Sequence, residues 1–233
     1  MLKYTVPNVI LNKVQSKGKP NFKYFCPGLT LSAMDIIFAT NNENKTREIR
    51  NILGSSFNLL SLNDLNFNED IPEDEPTLEG NALSKARHVY KLSDRNVFAD
   101  DTGLEIDVLH GLPGVKSARF AGDDKDSEAN IDKVLSMMGR SLNRNARFRT
   151  VIALIIDGKE YVFDGTVEGR IITERRGKGG FGYDPIFIPE DETRTFAEMP
   201  LDEKNKISHR ARAFEKLRIF LYRYDKIHKE NSL

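Results

Sequence analysis

The 233-residue chain is 39% hydrophobic and 30% charged, which predicts a folded globular protein and excludes an intrinsically disordered one. Its 35 basic and 35 acidic residues balance, but five of the lysines lie in residues 1–33, which contain no acid. The remainder carries 30 basic against 35 acidic residues, so it is a poor candidate for a nucleic-acid binding protein.

Cysteine content and hydropathy exclude further classes of protein. Cys26 is the only cysteine, which excludes an intramolecular disulfide and a zinc site built on thiolates. No apolar run approaches the roughly 18 residues that span a bilayer, and the start lacks the apolar region of a secretory signal. We therefore expect no membrane association and a cytoplasmic location.

Residues 1–33 show neither helical nor strand periodicity and contain several glycines and prolines. We interpret them as a flexible N-terminal extension that precedes one domain at 34–233. Two alternatives remain open at this stage. The extension could be a basic tail that docks or targets the protein, or Met34 could be the true initiator.

Regular patterning begins after the extension. An apolar strand at 36–39 is followed by a helix that carries Ile49, Ile52 and Leu53 on one face, and then by a strand at 57–62. Strand, helix and strand in this order form the βαβ unit of an α/β fold. A second helix is predicted after Thr77, its expected N-cap.

The second half alternates strands, a helix and turns. Short strands are predicted at 97–99 and 104–108, separated by two aspartates, and Ser127 is the predicted cap of a helix that ends at Gly139. Asp157-Gly158 favours a type I′ turn, so residues 147–167 are predicted to form an antiparallel hairpin. A long amphipathic helix is predicted at the C-terminus.

The first candidate site is the loop ATNNENK at 39–45, between the first strand and the first helix. Backbone N–H groups at the start of a helix favour anions. The loop adds short polar side chains and a lysine suited to a polyphosphate: Thr40, Asn41, Asn42, Asn44 and Lys45. It lacks the Walker A pattern, and a polar loop capped by an asparagine is the alternative.

The second candidate is the Asp100-Asp101 pair. Adjacent strand residues point to opposite faces, so at least one carboxylate is predicted to lie in a cleft, where its charge requires a cation. Upstream, the acidic loop at 71–76 supplies Glu73, Asp74 and Glu75, whose oxygens suit Mg²⁺ bound with a triphosphate. The alternatives are a capped turn for the aspartates and a solvated loop for the others.

Two further motifs lie toward the C-terminus. In GGFGYDP at 179–185 the glycines let the backbone approach a ligand, and Phe181 and Tyr183 could stack on a base. Ser208 is predicted to cap the last helix, which places His209 and Arg210 in its first turn. Cations are unfavourable there without an anion or polar partner, which indicates ligand contact. The alternatives are a tight turn with core aromatics and solvent-facing cations.

Five stretches in this order, FATNNENK, TLEGNALSKA, FADDTGLEIDVLHGLPGVKSARFAG, GGFGYDPIF and EKNKISHR, resemble the non-canonical purine nucleoside triphosphate pyrophosphatases, the inosine triphosphatase or Ham1-like enzymes. The resemblance covers residues 34 to about 221. It implies an α/β fold with a long, mixed, bent sheet flanked by helices, two lobes with a central cleft, and a homodimer.

The resemblance also implies roles for individual residues. Asp101 would accept a proton and contact Mg²⁺, with Glu73 as the second metal ligand and Asp74 or Glu75 as alternatives to it. Substrate contacts are implied for Thr40, Asn41, Asn42, Glu43, Asn44, Lys45, Thr102, Phe181, Gly182, Tyr183, Asp184, Lys204, His209 and Arg210. Thr102 stands where serine is common, and Gly80 where an acid or glutamine often occurs.

We therefore expect a Mg²⁺-dependent nucleoside triphosphate pyrophosphatase that hydrolyses ITP, dITP or XTP to the monophosphate and pyrophosphate, which removes them from the nucleotide pool. Water would attack the α-phosphorus, with its proton accepted by Asp101 or Asp100, and Lys45 would stabilise the leaving pyrophosphate. Three alternatives are a Maf-like pyrophosphatase for modified pyrimidine nucleotides, a non-catalytic nucleotide-binding protein, and an RNA-binding module that uses the basic N-terminal extension.

Overall fold

The computed structural model describes residues 12–13, 34–53, 57–67, 69, 71 and 73–230. The predicted N-terminal extension, Cys26 included, lies outside these residues except at Asn12–Lys13. The strands are β1 (Asn12–Lys13), β2 (Met34–Phe38), β3 (Phe57–Ser61), β4 (Val97–Ile106), β5 (Asn145–Ile156), β6 (Lys159–Ile171) and β7 (Phe187–Pro189). The helices are α1 (Glu43–Leu53), α2 (Leu78–Ser93), α3 (Ser127–Met138), α4 (Leu201–Ile207) and α5 (His209–Glu230).

The strands form one mixed sheet in the order β1-β6-β5-β4-β2-β3, with β7 added beside β6. β2 is parallel to both β3 and β4, as the βαβ pattern predicts, whereas β4, β5 and β6 are antiparallel neighbours. Helices α1 and α5 cover one face of the sheet and α2 covers the other. The predicted α/β class, with a long mixed sheet flanked by helices, is confirmed.

The apolar core is divided along the long strands. One lobe is built around β2, β3 and the start of β4, under α1, α2 and α5. The other lobe packs the end of β4 and β6 against α3, β7 and the segment that holds Phe196. Buried polar residues of β4 and β5, including Asp100, Asp101 and Thr150, lie between these apolar clusters. A cleft between two lobes therefore has a polar floor.

Two details of the predicted elements are wrong. β4 is one continuous strand of ten residues, not two short ones, because the aspartates keep full register with β5 and Asp101 pairs with Val151. The cap of α3 is Asp126, not Ser127, since its carboxylate accepts from the N–H groups of Glu128 at 2.8 Å and Ala129 at 3.3 Å. A carboxylate serves two of the helix's unpaired donors at once.

Other local predictions are confirmed. Thr77 Oγ1 accepts from Gly80 N at 3.0 Å, so Thr77 is the N-cap of α2. Both turn residues of the β5–β6 hairpin have positive φ, 48° at Asp157 and 73° at Gly158, as a type I′ turn requires. None of the described helices is long and apolar enough to cross a membrane.

Candidate active site

The site lies where β2 ends beside β4. Only two residue pairs join these strands, Ile37 with Val97 and Phe38 with Phe98. After Phe38, β2 ends and the chain turns away into the loop before α1. β4 continues past Phe98 and keeps its pairing with β5. The edge of β4 at Asp100–Thr102 is therefore left uncovered by β2. Divergence beside the end of a parallel strand is where α/β proteins bind ligands.

Asp100 faces α1 and α5. Its Oδ1 atom accepts from Lys45 Nζ at 2.9 Å, and its Oδ2 atom accepts from Thr102 Oγ1 at 3.3 Å and lies 3.7 Å from Arg210 Nε. Burial alone would raise the pKa of this carboxyl group, but Lys45, Arg210 and Lys85 lower it below the ordinary value of 3.8. Asp100 is therefore a buried anion that holds two cations in place.

Asp101 faces α2 on the opposite side of the strand, as the alternation predicts. Its Oδ1 lies 3.2 Å from Lys85 Nζ, and its Oδ2 accepts from Asn81 Nδ2 at 3.1 Å. Burial raises the pKa of Asp101 above 3.8, although Lys85 and Lys45 oppose the shift. The neighbouring aspartates thus have pKa values displaced in opposite directions, as at acid–base sites.

Glu73 converges on the same cation as Asp101. Lys85 Nζ donates to Glu73 Oε1 at 2.7 Å, so one ammonium group joins carboxylates from the acidic loop and from β4. The pKa of Glu73 is lowered, because the nearby cations Lys85, Lys45 and Arg119 outweigh its burial. Asp74 and Glu75 are exposed, whereas Glu73 is half-buried and shares Lys85 with Asp101.

The oxygens of Glu73 and Asp101 are of the type that Mg²⁺ prefers. Glu73 and Asp101 present two carboxylate oxygens to one cation position, and hard oxygen ligands in small number fit an ion that retains several waters and binds substrate phosphates. Within the described ranges, no group of three or more His, Cys, Asp or Glu side chains is arranged to hold a metal. A site completed by water and phosphate is compatible with both observations.

The loop at 40–45 is polar and partly self-capped. Asn42 Oδ1 accepts from the N–H groups of Asn44 at 3.0 Å and Lys45 at 3.2 Å, and Thr40 Oγ1 accepts from Asn42 N. The side chains from Asn41 to Asn44, Glu43 included, are exposed. An asparagine therefore caps α1, as the structural alternative proposed, while Lys45 reaches over the cleft floor.

A second buried cluster of charge lies beside Asp100. Lys204 Nζ is 2.7 Å from Asp184 Oδ2 and 3.5 Å from Glu48 Oε1, and Arg210 donates to the other oxygen of Glu48. The Lys204 ammonium and the Arg210 guanidinium lie 4.9 and 5.3 Å from the Phe181 ring centroid. Asp184 also accepts from Phe181 N at 2.9 Å, which fixes the glycine-rich loop against α4.

His209 and Arg210 begin α5, and Ser208 Oγ accepts from Ala211 N at 3.1 Å, so the predicted cap is confirmed. Both residues are buried, which overturns the solvent-facing alternative. His209 stacks on Phe148 with ring centroids 4.7 Å apart, and burial with nearby cations lowers its pKa well below 6.5. It is therefore a neutral imidazole, and its Nδ1 atom is buried without a hydrogen-bond partner among the described residues.

Three further residues were predicted to contact the substrate: Thr102, Gly182 and Tyr183. Thr102 Oγ1 lies 2.7 Å from Thr150 Oγ1 on β5 and contacts Asp100. Tyr183 is buried and its hydroxyl donates to Ser117 O at 2.8 Å, so it braces the glycine-rich loop. Gly182 has a φ of 61°, and a Cβ atom added there would have no neighbour within 4 Å.

Among the described residues, five that contact the site were not predicted: Glu48, Asn81, Lys85, Arg119 and Thr150. For Asn81 and Lys85 a signal existed. They are four residues apart and lie next to the apolar stripe of α2, so both polar side chains face the sheet. For Glu48, Arg119 and Thr150 the partners are distant in the sequence, and no local pattern reveals them.

The fold and the site together define a class, an α/β protein in which paired carboxylates and lysines meet at the end of parallel strands. A family model described as the Ham1 family matches residues 36–220. A Flavobacterium johnsoniae protein named dITP/XTP pyrophosphatase is 49% identical over 184 residues, covering 79% of this chain and 96% of that protein. A Bacillus subtilis protein of the same name is also 49% identical, covering 78% and 94%.

Solved structures agree with the family model. A HAM1 protein from Coxiella burnetii matches with a TM-score of 0.76 and 37% identity, covering 82% of this chain and 99% of that one. The Staphylococcus aureus Ham1 protein matches with a TM-score of 0.75 and 38% identity, covering 81% and 98%. The chain belongs to the Ham1 family.

Proposed function

We propose that the protein is a Mg²⁺-dependent pyrophosphatase that converts ITP, dITP or XTP to the monophosphate and pyrophosphate, and so removes non-canonical purines from the nucleotide pool. The observation that carries the proposal is the pair of adjacent buried aspartates on opposite faces of β4, each held by a different lysine. The opposite directions in which burial and neighbouring cations shift their pKa values support it. The family membership and the names of the relatives support the same reaction.

The chemistry is divided between the two aspartates. Asp101, whose pKa is raised, is the general base that accepts the proton of the attacking water. Asp100 stays ionised and holds Lys45 over the cleft, where the lysine stabilises the charge that develops on the leaving pyrophosphate. Thr102 fixes Asp100 through its hydroxyl. The two roles require different environments, and the two faces of β4 provide them.

Glu73 and Asp101 would hold the Mg²⁺ ion, which supplies charge neutralisation at the phosphates and a lower pKa for the water. Lys85 Nζ lies 2.7 Å from Glu73 Oε1 and 3.2 Å from Asp101 Oδ1, so it holds the two carboxylates together before the ion binds. The loop at Thr40–Lys45 binds the polyphosphate through its polar side chains.

Base recognition is assigned to the buried cluster on the other side of Asp100. Arg210 and Lys204 are held by Glu48 and Asp184, and they point their cationic groups toward Phe181. Donors fixed in this way suit the 6-oxo group of hypoxanthine or xanthine, and an adenine amino group would leave them unpaired. An unmade buried hydrogen bond costs about 1–3 kcal/mol, so two such contacts give on the order of a hundredfold selectivity.

The direct test is pyrophosphate release by the purified protein from ITP, XTP, dITP, ATP and GTP, with and without Mg²⁺. Metal-dependent cleavage of the first three in preference to ATP is what the 6-oxo contacts predict. GTP carries the same 6-oxo group, and the preference expected over GTP rests on the names of the relatives. A preference for modified pyrimidine nucleotides would instead support the Maf-like alternative. Tight binding with no pyrophosphate released would support a non-catalytic nucleotide-binding protein.

The homodimer and the cytoplasmic location stay predictions of the sequence, as does the exclusion of nucleic acid and membranes as partners. Light scattering coupled to size-exclusion chromatography tests the dimer, for which we expect twice the 26.5 kDa mass of the chain. Binding to a duplex or single-stranded RNA probe tests the exclusion of nucleic acid as a partner. Loss of RNA binding on removal of residues 1–33 would support the RNA-binding alternative.

A further inference from the structure

We propose that Arg119 is a positioning residue for the metal site, which holds Glu73 so that one carboxylate oxygen faces Asp101. The inference rests on the proposed function, in which Glu73 and Asp101 hold the divalent ion. Arg119 belongs to the short helical turn Gly114–Arg119. It lies in one of the five stretches that carry the family resemblance, but the sequence predicted no role for it.

Arg119 and Lys85 contact different parts of Glu73. The Nη2 atom of Arg119 lies 3.3 Å from the backbone oxygen of Glu73 and 3.4 Å from its Oε2 atom. Lys85 Nζ lies 2.7 Å from the other carboxylate oxygen, Oε1. Arg119 therefore holds both the main chain and one side of the carboxylate, and the opposite oxygen remains directed toward Asp101.

Glu73 needs such an anchor because it lies outside the strands and helices, between β3 and α2, and the described residues 73–77 form no ladder of strand or helix hydrogen bonds. Among the described residues, its hydrogen bonds come from Lys85 and Arg119. A divalent ion would compete with the Lys85 ammonium for the oxygens of Glu73 and Asp101. The Arg119 contacts involve other atoms, so they can persist through that exchange.

The segment that carries Arg119 is itself held from three directions. Ser117 Oγ accepts from a backbone N–H of β4 at 2.9 Å. Tyr183 donates its hydroxyl proton to Ser117 O at 2.8 Å, and Asn130 of α3 donates to Ala118 O at 3.0 Å. A guanidinium held by so constrained a turn is a fixed donor, as a residue that positions a metal ligand through a hydrogen bond must be.

The test measures Mn²⁺ binding to the protein without nucleotide, from the electron paramagnetic resonance signal of free Mn²⁺. Arg119→Met should weaken Mn²⁺ affinity by about 10- to 100-fold, the range typical for loss of an outer-shell partner. Arg119→Lys should weaken it less, because one donor is retained. Lys116→Met is the matched control, since Lys116 is an exposed cation on the same turn and should leave the affinity unchanged.

A double-mutant cycle with Glu73→Gln separates this role from others. If Arg119 acts through Glu73, the Arg119→Met change has no further effect on Mn²⁺ affinity in the Glu73→Gln protein. An equal loss in both backgrounds would overturn the inference. Unchanged affinity in Glu73→Gln alone would instead refute the metal assignment of the proposed function. Unfolding midpoints are measured for every variant, and Arg119→Gln replaces Arg119→Met in the cycle if the latter does not fold.

Discussion

At the scale of single residues, β4 gives two identical side chains different tasks. If Asp101 is the general base, as we propose, Asp101→Asn should lower kcat by about 100- to 10,000-fold, because it removes the group that accepts the proton. In the native enzyme, activity should fall as the pH decreases through the pKa of Asp101, which burial raises above the ordinary 3.8. Because Mg²⁺ stabilises the carboxylate, raising its concentration should move this acidic limb to lower pH.

The measurement is a profile of kcat/KM against pH at low and high Mg²⁺. Circular dichroism over the same range shows that the decline precedes unfolding. An acidic limb that stays at one pH at every Mg²⁺ concentration would contradict the assignment of Asp101 as both base and metal ligand.

Asp100 should matter more to stability than Asp101 does. Its pKa is lowered in the folded state, so its contribution is fully present above 3.8 and is lost as the pH falls through the folded-state value. Asp100→Asn removes the carboxylate that Lys45 contacts at 2.9 Å and leaves Arg210 with Glu48 as its buried counter-ion. It should reduce the free energy of unfolding near neutral pH by about 3 kcal/mol.

Urea unfolding near neutral pH and at successive values below 3.8 tests this prediction. The difference between native protein and Asp100→Asn should shrink at the acidic end, where Asp100 itself is protonated. Asp123→Asn is the control, because Asp123 is exposed and should change the unfolding free energy little at any pH. A constant difference across the series would argue against an ionised Asp100.

The sequence was sufficient to predict Asp100 and Asp101 as a pair that points to opposite faces, because that follows from strand geometry alone. It could not predict which aspartate keeps its proton more readily. That depends on Lys45, Lys85 and Arg210, which approach from three helices, and their distances from β4 arise only in the folded chain. Local rules therefore predicted the residues, and tertiary packing determines their charge states.

At the scale of elements, the approach of α5 to β6 positions His209 and Arg210. Gly165 of β6 makes this approach close, since a Cβ atom there would lie 2.2 Å from His209 O and 2.4 Å from Ala213 N. Gly165→Ala should therefore push the start of α5 away from the sheet. We expect a loss of about 1–3 kcal/mol in unfolding free energy, as for other overpacked sites, together with a higher KM for ITP.

Gly122→Ala is the matched control, because no atom lies within 4 Å of the Cβ that it would add. Urea denaturation and steady-state kinetics are measured for both variants. If Gly165→Ala has the same unfolding free energy and the same KM as the unsubstituted protein, α5 is not held close to the sheet by Gly165. The sequence predicted α5, its cap and its apolar stripe, but gave no sign that Gly165 sets the distance between helix and sheet.

At the scale of the whole molecule, the cleft lies between two apolar clusters that share β4, β5 and β6. The order of motifs in the chain predicted this α/β architecture, and the resemblance added the two lobes. Periodicity alone divided β4 into two strands, because polar residues in its middle interrupt the apolar pattern. Those residues belong in the strand since cations from α1, α2 and α5 compensate their charge.

A nucleotide that contacts both lobes should stabilise the entire molecule. The phosphate loop and α2 belong to one lobe, whereas Phe181 and Asp184 belong to the other, so bound nucleotide links them. With Mg²⁺ and an imido analogue of ITP at about 100 times its Kd, linkage predicts about 2.7 kcal/mol of stabilisation, or roughly 5–10 °C in Tm. The same concentration of the ATP analogue should give a smaller shift, because its 6-amino group does not pair with the donors around Arg210. A chelator should remove most of either shift, and equal shifts for the two analogues would refute base recognition by this cluster while leaving the phosphate site intact.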